Sequence, residues 1–291
     1  FKELDLKSIS KNDIFKTMTS SGTSGQRPSR IYLDRVTASI QSKILARLMS
    51  DILGPKRLPM LIIDSPSVVS NRKEFTARGA GILGFSLFGK DITYALDSQM
   101  NINWSAIREF NNKYSSKKVF IFGFTYMIWK HFLMSLEKRD ELLHLRNGIL
   151  LHGGGWKKLE SLNIDNKTFK QKFKAMTGVE TILNYYGMVE QTGSIYLECK
   201  NGNLHAPIFS DILIRRSSDF GIADIGETGI IQVLSITPQS YPGHSLITND
   251  QGILIGEDTC SCGKKGKYFK IIGRVPKAEI RGCSDTFESP V

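Results

Sequence analysis

Apolar residues at Val36, Ile40, Ile44, Leu48 and Ile52 recur at the spacing of one helical face. Asp34 stands where an N-cap belongs and Gly54-Pro55 closes the run, so the pattern predicts a helix between them. The unbroken apolar stretch Leu58 to Ile63 predicts a buried strand. A glycine-rich stretch, Gly79 to Gly89, leads toward a strand near Ile92 to Ala95. A helix around Trp104 to Asn111, a strand at Lys118 to Phe122, a helix over about Thr125 to Leu136 and a strand at Ile149 to His152 follow. Strands and helices in alternation predict an α/β fold, a mostly parallel sheet with flanking helices. After Ser194 the texture changes to short β-type runs, at Ile195 to Glu198, Ile212 to Ile214, Ile230 to Leu234, Ile253 to Ile255 and Tyr268 to Ile272. The expected organisation is an α/β part over residues 1–193 and a β-rich part over 194–291, divided by a change of layer rather than of independent domains.

A chain of 291 residues with 41% hydrophobic content can bury a core. It contains no apolar run of about 18 residues, and Phe1-Lys2-Glu3-Leu4-Asp5 is no secretory leader, so no membrane span and a cytoplasmic address are expected. The net charge of +11 is spread along the chain without an aromatic RNA-binding motif, which argues for a solvated basic surface rather than a nucleic-acid footprint. His131, His144 and His244 form no convincing triad with a serine, so a hydrolase is disfavoured.

Several short motifs carry candidate chemistry. Thr19, Ser20, Ser21, Gly22, Thr23, Ser24 and Gly25 put hydroxyls and glycine amides in one segment, suited to cradle a polyphosphate; read alone, a plain loop fits as well. Asn184-Tyr185-Tyr186-Gly187-Met188-Val189-Glu190 lies at a strand end, where an aromatic ring can stack on a purine and a carboxylate can hold magnesium; read alone, a core tyrosine pair and a solvated glutamate fit better. Cys199, His205, Cys260 and Cys262 are soft ligands that can close a tetrahedral zinc site, with free buried thiols the alternative. The run Gly123 to Trp129 fits an apolar core better than the floor of an acyl pocket.

The order Thr19 to Gly25, His152-Gly153-Gly154-Gly155, Tyr186 to Glu190, Thr248-Asn249-Asp250 and Gly273-Arg274 resembles the adenylate-forming (acyl-CoA synthetase-like) superfamily. The resemblance implies ATP and Mg2+: phosphates on the Ser/Thr/Gly loop, adenine and acyl group along Gly153 to Gly155, Tyr186 on adenine, magnesium at Glu190, ribose at Asp250, and ribose or phosphate at Arg274. The stretch Ile271 to Thr286 is similar, more narrowly, to the acyl-protein synthetase (LuxE) family, in which a fatty acid is adenylated and then passed to a cysteine. Cys283 matches that cysteine, and Arg281 beside it favours the thiolate; an inert buried cysteine is the alternative.

The resemblance further implies a fatty acid substrate and an acyl reductase partner, and leaves open a homo- or hetero-oligomer. The superfamily's usual mobile C-terminal domain and its lysine are absent from this sequence, so Lys277, another lysine, or magnesium with loop dipoles is expected to serve instead. An acyl- or aryl-CoA ligase and an inactive nucleotide-binding subunit are the rival expectations.

Overall fold

The computed structural model describes residues 1, 3–20, 28–69, 77–154, 156, 159, 162 and 164–275. They form two compact units, one built from residues 1–48 together with residues from Asn184 onward, the other from Met49–Leu183. The first strands thus group with the C-terminal strands, whereas the sequence pattern assigned them to the α/β part.

The second unit carries parallel strands β3 (Leu58–Ile63), β4 (Gly89–Tyr94), β5 (Val119–Phe124) and β6 (Gly148–Gly153), in the order β4-β3-β5-β6. Their registers run Leu61↔Thr93, Met60↔Phe120 and Val119↔Gly148. β5 and β6 are buried along their whole length, so they read as continuous apolar runs rather than alternating ones. Helix α2 (Ala77–Ser86) occupies much of the stretch read from sequence as merely glycine-rich. Gly81 explains this, because a Cβ there would meet the Phe124 ring at 3.2 Å, so glycine lets the helix sit directly on β5.

Helix α3 (Trp104–Tyr114) is capped by Asn103, whose side chain accepts the Ala106 N–H. After β5, α4 (Thr125–Met127) passes through a π-helical turn, Ile128–Leu133, into α5 (Met134–Arg139). Gly123 lets this turn approach the sheet, since a Cβ there would lie 2.9 Å from Ile128. Helix α6 (Asn166–Thr177), not foreseen from sequence, buries Phe169, Phe173 and Thr177 one turn apart.

In the first unit β1 (Lys16–Thr19) and β2 (Arg30–Leu33) form an antiparallel pair with Thr19 opposite Arg30. Helix α1 (Arg35–Leu53) follows, its first turn capped as the sequence predicts: the Asp34 carboxylate accepts the Thr37 N–H at 2.7 Å. The chain returns to this unit through β7 (Thr181–Tyr186). Strands β8 (Tyr196–Glu198), β9 (Leu204–His205), β10 (Ser210–Arg215), β11 (Thr228–Ser235), β12 (Ser245–Glu257) and β13 (Lys267–Arg274) form an antiparallel array, ordered β10-β11-β12-β13-β9-β8. Its core gathers Tyr196, Ile212, Ile214, Ile231, Val233 and Phe269. Among the described residues no helix is long and apolar enough to cross a membrane.

Candidate functional site

Three of the predicted nucleotide residues meet at one end of the β12–β13 pair. Asp250 and Arg274 are direct cross-strand partners, so their side chains project on the same side of the ladder. Arg274 Nε lies 3.2 Å from Asp250 Oδ1, and the Tyr186 hydroxyl donates to Asp250 Oδ2 at 2.8 Å. A carboxylate with two oxygens has lone pairs left after these two contacts. Burial, then the Asp250 charge, pushes the Tyr186 phenol well above its ordinary range, so it remains a donor. The Tyr186 ring packs at 6.0 Å from Tyr196 and 6.3 Å from Phe269.

Thr248, two residues before Asp250, accepts the Asp250 N–H at 3.1 Å and donates to the Ile231 carbonyl at 2.8 Å. A register shift between Gln251 and Gly252 follows immediately. Such bulges re-aim side chains next to sites, and here glycine is required because a Cβ at 252 would lie 2.8 Å from Ile231 and from the Lys270 carbonyl.

Asn184 donates its backbone N–H to the buried Glu198 carboxylate at 2.8 Å, while its own Oδ1 is buried without a partner. Gly187 lies close to Ile195, 3.2 Å from where a Cβ would stand. Glu190 sits on a single helical turn, Val189–Gln191. Gln191 holds this turn by donating to the Gly243 and Val233 carbonyls at 2.9 and 3.3 Å, and Thr192 closes it with a bond to the Val189 carbonyl. Thr19 and Ser20 lead into the hydroxyl- and glycine-rich segment. Ser20 and Ser29 tie its neck, the Ser29 N–H donating to Ser20 Oγ at 2.8 Å and the Ser20 N–H to the Ser29 carbonyl at 3.1 Å. Ser21, Gly22, Thr23, Ser24, Gly25, Gly155, Lys277 and Cys283 lie outside the described residues.

Gly153 and Gly154 belong to the other unit, at the carboxyl end of β6, with Gly154 at φ +67°. Beside them His152 is fully buried: its Nδ1 is 3.0 Å from Thr125 Oγ1, its ring lies 4.4 Å from Phe169, and its Nε2 has no partner. Burial holds this imidazole well below its ordinary pKa, hence neutral.

The soft-ligand set also comes together. One ligand atom from each of Cys199, His205, Cys260 and Cys262 lies within 4.8 Å of all the others. Cys262 Sγ is 3.4 Å from His205 Nε2, and the Cys199 and Cys260 sulfurs are 4.0 Å apart. Zinc–sulfur bonds of about 2.3 Å in a tetrahedron separate the sulfurs by about 3.8 Å, which these spacings match. Donors point at two of the sulfurs: the Lys264 N–H at Cys262 Sγ at 3.4 Å, and Asn203 Nδ2 at Cys260 Sγ at 3.7 Å. The Cys262 N–H, as the largest influence, draws the Cys260 thiol below its ordinary pKa, while burial pushes the Cys262 thiol above its own. Gly263 at φ +89° makes the tight turn by which Cys260 and Cys262 face one point.

A family model described as acyl-protein synthetase, LuxE, matches residues 1–291. The chain belongs to this family. Solved structures that resemble this acyl-protein synthetase family member include an open conformation of 2-hydroxyisobutyryl-CoA ligase in complex with 2-HIB-AMP and CoA, at 14% identity and TM-score 0.68. ATP-bound MatB from Rhodopseudomonas palustris is similar at 15% identity and TM-score 0.59. The matches cover 92% and 91% of this chain but 59% and 49% of those proteins, so the chain spans about half their length. The shared feature is the α/β fold with parallel strands and an antiparallel C-terminal part. No curated protein matches the chain in sequence.

Sequence reasoning missed Thr248, Glu198 and Gln191 as supports of the candidate site. Thr248 stands inside the Thr248-Asn249-Asp250 motif and was legible as a short-range hydroxyl-to-amide turn. Glu198 and Gln191 become visible only when strands distant in sequence pair.

Proposed function

We propose that this chain converts a fatty acid and Mg-ATP to an acyl-adenylate and transfers the acyl group to Cys283. The observation that carries the reading is the Tyr186–Asp250–Arg274 constellation, which joins three separately predicted residues in a chain of the acyl-protein synthetase family. Asp250, its two oxygens oriented by Tyr186 and Arg274, accepts the ribose hydroxyls. Arg274 extends toward ribose or the α-phosphate. Tyr186 and Gly187 border the adenine, and the unpartnered Asn184 Oδ1 offers an acceptor to its amino group. Thr19, Ser20 and the segment Ser21 to Gly25 supply hydroxyls and amides to the phosphates, and Gly153, Gly154 and Gly155 give close backbone approach to adenine and acyl group.

Magnesium held by Glu190 would neutralise charge on the departing pyrophosphate. The fatty carboxylate oxygen attacks the α-phosphorus, and the bond to the bridging oxygen of pyrophosphate breaks. Lys277 is the candidate cation for that step. The Cys283 thiolate then attacks the acyl carbon, forming a thioester and releasing AMP. We further propose that Cys199, His205, Cys260 and Cys262 bind a structural Zn2+, on the strength of their donor set and spacing. An acyl reductase is the natural acceptor of the thioester.

The test is incubation with labelled fatty acid and ATP, followed by a denaturing gel. Wild type should carry label and Cys283→Ser should not. Label that persists in the variant, or appears only on added coenzyme A, rejects transfer to Cys283 in favour of another acceptor.

A further inference from the structure

A set of buried hydrogen-bonding groups in the first unit remains unused by the chemistry above. Ser240 and Tyr241 are fully buried in the segment between β11 and β12. Ser240 Oγ donates to the Tyr32 carbonyl at 2.8 Å, at the β2 side of the phosphate segment. The Ser240 N–H donates to Thr37 Oγ1 at 3.1 Å, in the first turn of α1. The neighbouring Tyr241 hydroxyl donates to the Glu190 carbonyl at 2.8 Å and accepts from Gln41 Nε2 at 3.2 Å. Burial pushes the Tyr241 phenol well above its ordinary range, which keeps the donor protonated.

The packing around these bonds leaves little slack. A Cβ at Gly243 would lie 2.4 Å from the Tyr241 ring and 2.9 Å from the Glu190 carbonyl. Gly193, at φ +91°, brings the other side of the same turn within 2.6 Å of the Gln41 carbonyl, measured from the Cβ it lacks. Buried hydroxyls and amides are costly to desolvate, and an apolar pair would fill such a space more cheaply. What polar groups add is a fixed register between the elements they join.

We infer that Ser240-Tyr241 is a positioning strap that holds the Glu190 turn at a set place relative to the β2–α1 arm of the phosphate segment. The inference rests on the reading of Glu190 as the magnesium residue. Tyr241 touches neither nucleotide nor metal and acts through the Glu190 backbone. Loss of its hydroxyl lets the Glu190 turn shift and weakens the metal-dependent grip on ATP, while the remaining nucleotide contacts persist.

The test measures ATP binding by titration calorimetry, without fatty acid, across a Mg2+ series, for wild type, Glu190→Gln, Tyr241→Phe and Ser240→Ala. Tyr241→Phe keeps the ring and is expected to raise the half-saturating Mg2+ concentration about tenfold, the scale of one buried hydrogen bond and its stranded partner. Binding at saturating Mg2+ should stay close to wild type. Ser240→Ala should move the Mg2+ dependence in the same direction by about threefold, and it decides the matter if Tyr241→Phe does not fold. A shift in Glu190→Gln with none in either strap variant overturns the strap alone. No shift in Glu190→Gln overturns the magnesium reading and the strap with it.

Discussion

His152 shows how a single residue's surroundings set its chemistry. Thr125 holds one ring nitrogen, Phe169 covers the ring, and no charge partner offsets burial, so the folded protein keeps the imidazole neutral. An unfolded chain takes up a proton near the ordinary histidine pKa of about 6.5. Below that pH the unfolded state therefore binds more protons than the folded state, and stability falls as pH falls until the depressed folded pKa is reached. The contribution is about 1.4 kcal/mol per pH unit. His152→Gln should lower the melting temperature at pH 7.5, yet lose less stability than wild type between pH 7.5 and 5.5. Parallel decline of the two proteins with acid would sink this account. From sequence His152 was visible only as the residue before three glycines. The two groups that define its state, Thr125 and Phe169, sit on other elements, which no local pattern reports. Tyr186, Asp250 and Arg274, by contrast, each stand in a short motif that singles them out, and the fold adds that they meet.

The paired strands β12 and β13 carry a candidate site at each end, with Asp250 opposite Arg274 at one and Cys260 and Cys262 just beyond the other. Zinc would tie the connection between these strands to Cys199 and His205, which flank the turn between β8 and β9. Tyr268 on β13 stacks on His205 at 5.5 Å and extends that packing. Purified protein should contain about one zinc per chain. Cys260→Ser, or stripping the metal with a strong chelator, should lower the melting temperature by about 5 °C or more, the scale of losing a structural ligand in a domain this large. Metal at only a small fraction of one equivalent, with no effect of the chelator, would favour free thiols.

The donor set was readable from sequence because cysteine and histidine are rare and soft, but its closure depended on β9 pairing with β13. Strands and helices were legible to the degree that their apolar positions were dense. α1 was plain from its helical spacing and Asp34 cap, but the face it buries is Thr37, Gln41, Ile44, Leu45, Met49 and Leu53 rather than the predicted stripe, whose Val36 is exposed, because two polar residues take part in the buried face. α6 was overlooked although Asp165 caps it and Gly178 ends it at φ +72°, because Lys167, Lys170, Lys172 and Lys174 leave few apolar positions and dilute the periodic signal. α2 was hidden by its glycines, of which Gly81 serves its close packing on β5.

At the scale of the molecule, the grouping of residues 1–48 with those after Asn184 was beyond a linear reading, since local composition says nothing about which distant segments pair. That grouping places the neck of the hydroxyl- and glycine-rich segment, the Glu190 turn and the Asp250 constellation in one compact unit. A ligand that uses all three favours the folded state over the unfolded one in proportion to its affinity. Mg-ATP at about a hundred times its dissociation constant adds about 2.7 kcal/mol. Divided by the unfolding entropy of a chain this long, that is a rise of about 4 °C in melting temperature. The net charge of +11 acts in the same direction by attracting a polyanion, and salt screens it. The stabilisation measured by differential scanning calorimetry should therefore shrink as ionic strength rises at fixed Mg-ATP, and should be largely lost in Asp250→Ala at the same ligand concentration. An equal rise in the variant would mean that ATP binds without the ribose contact, and no rise in wild type would remove nucleotide binding from this chain altogether.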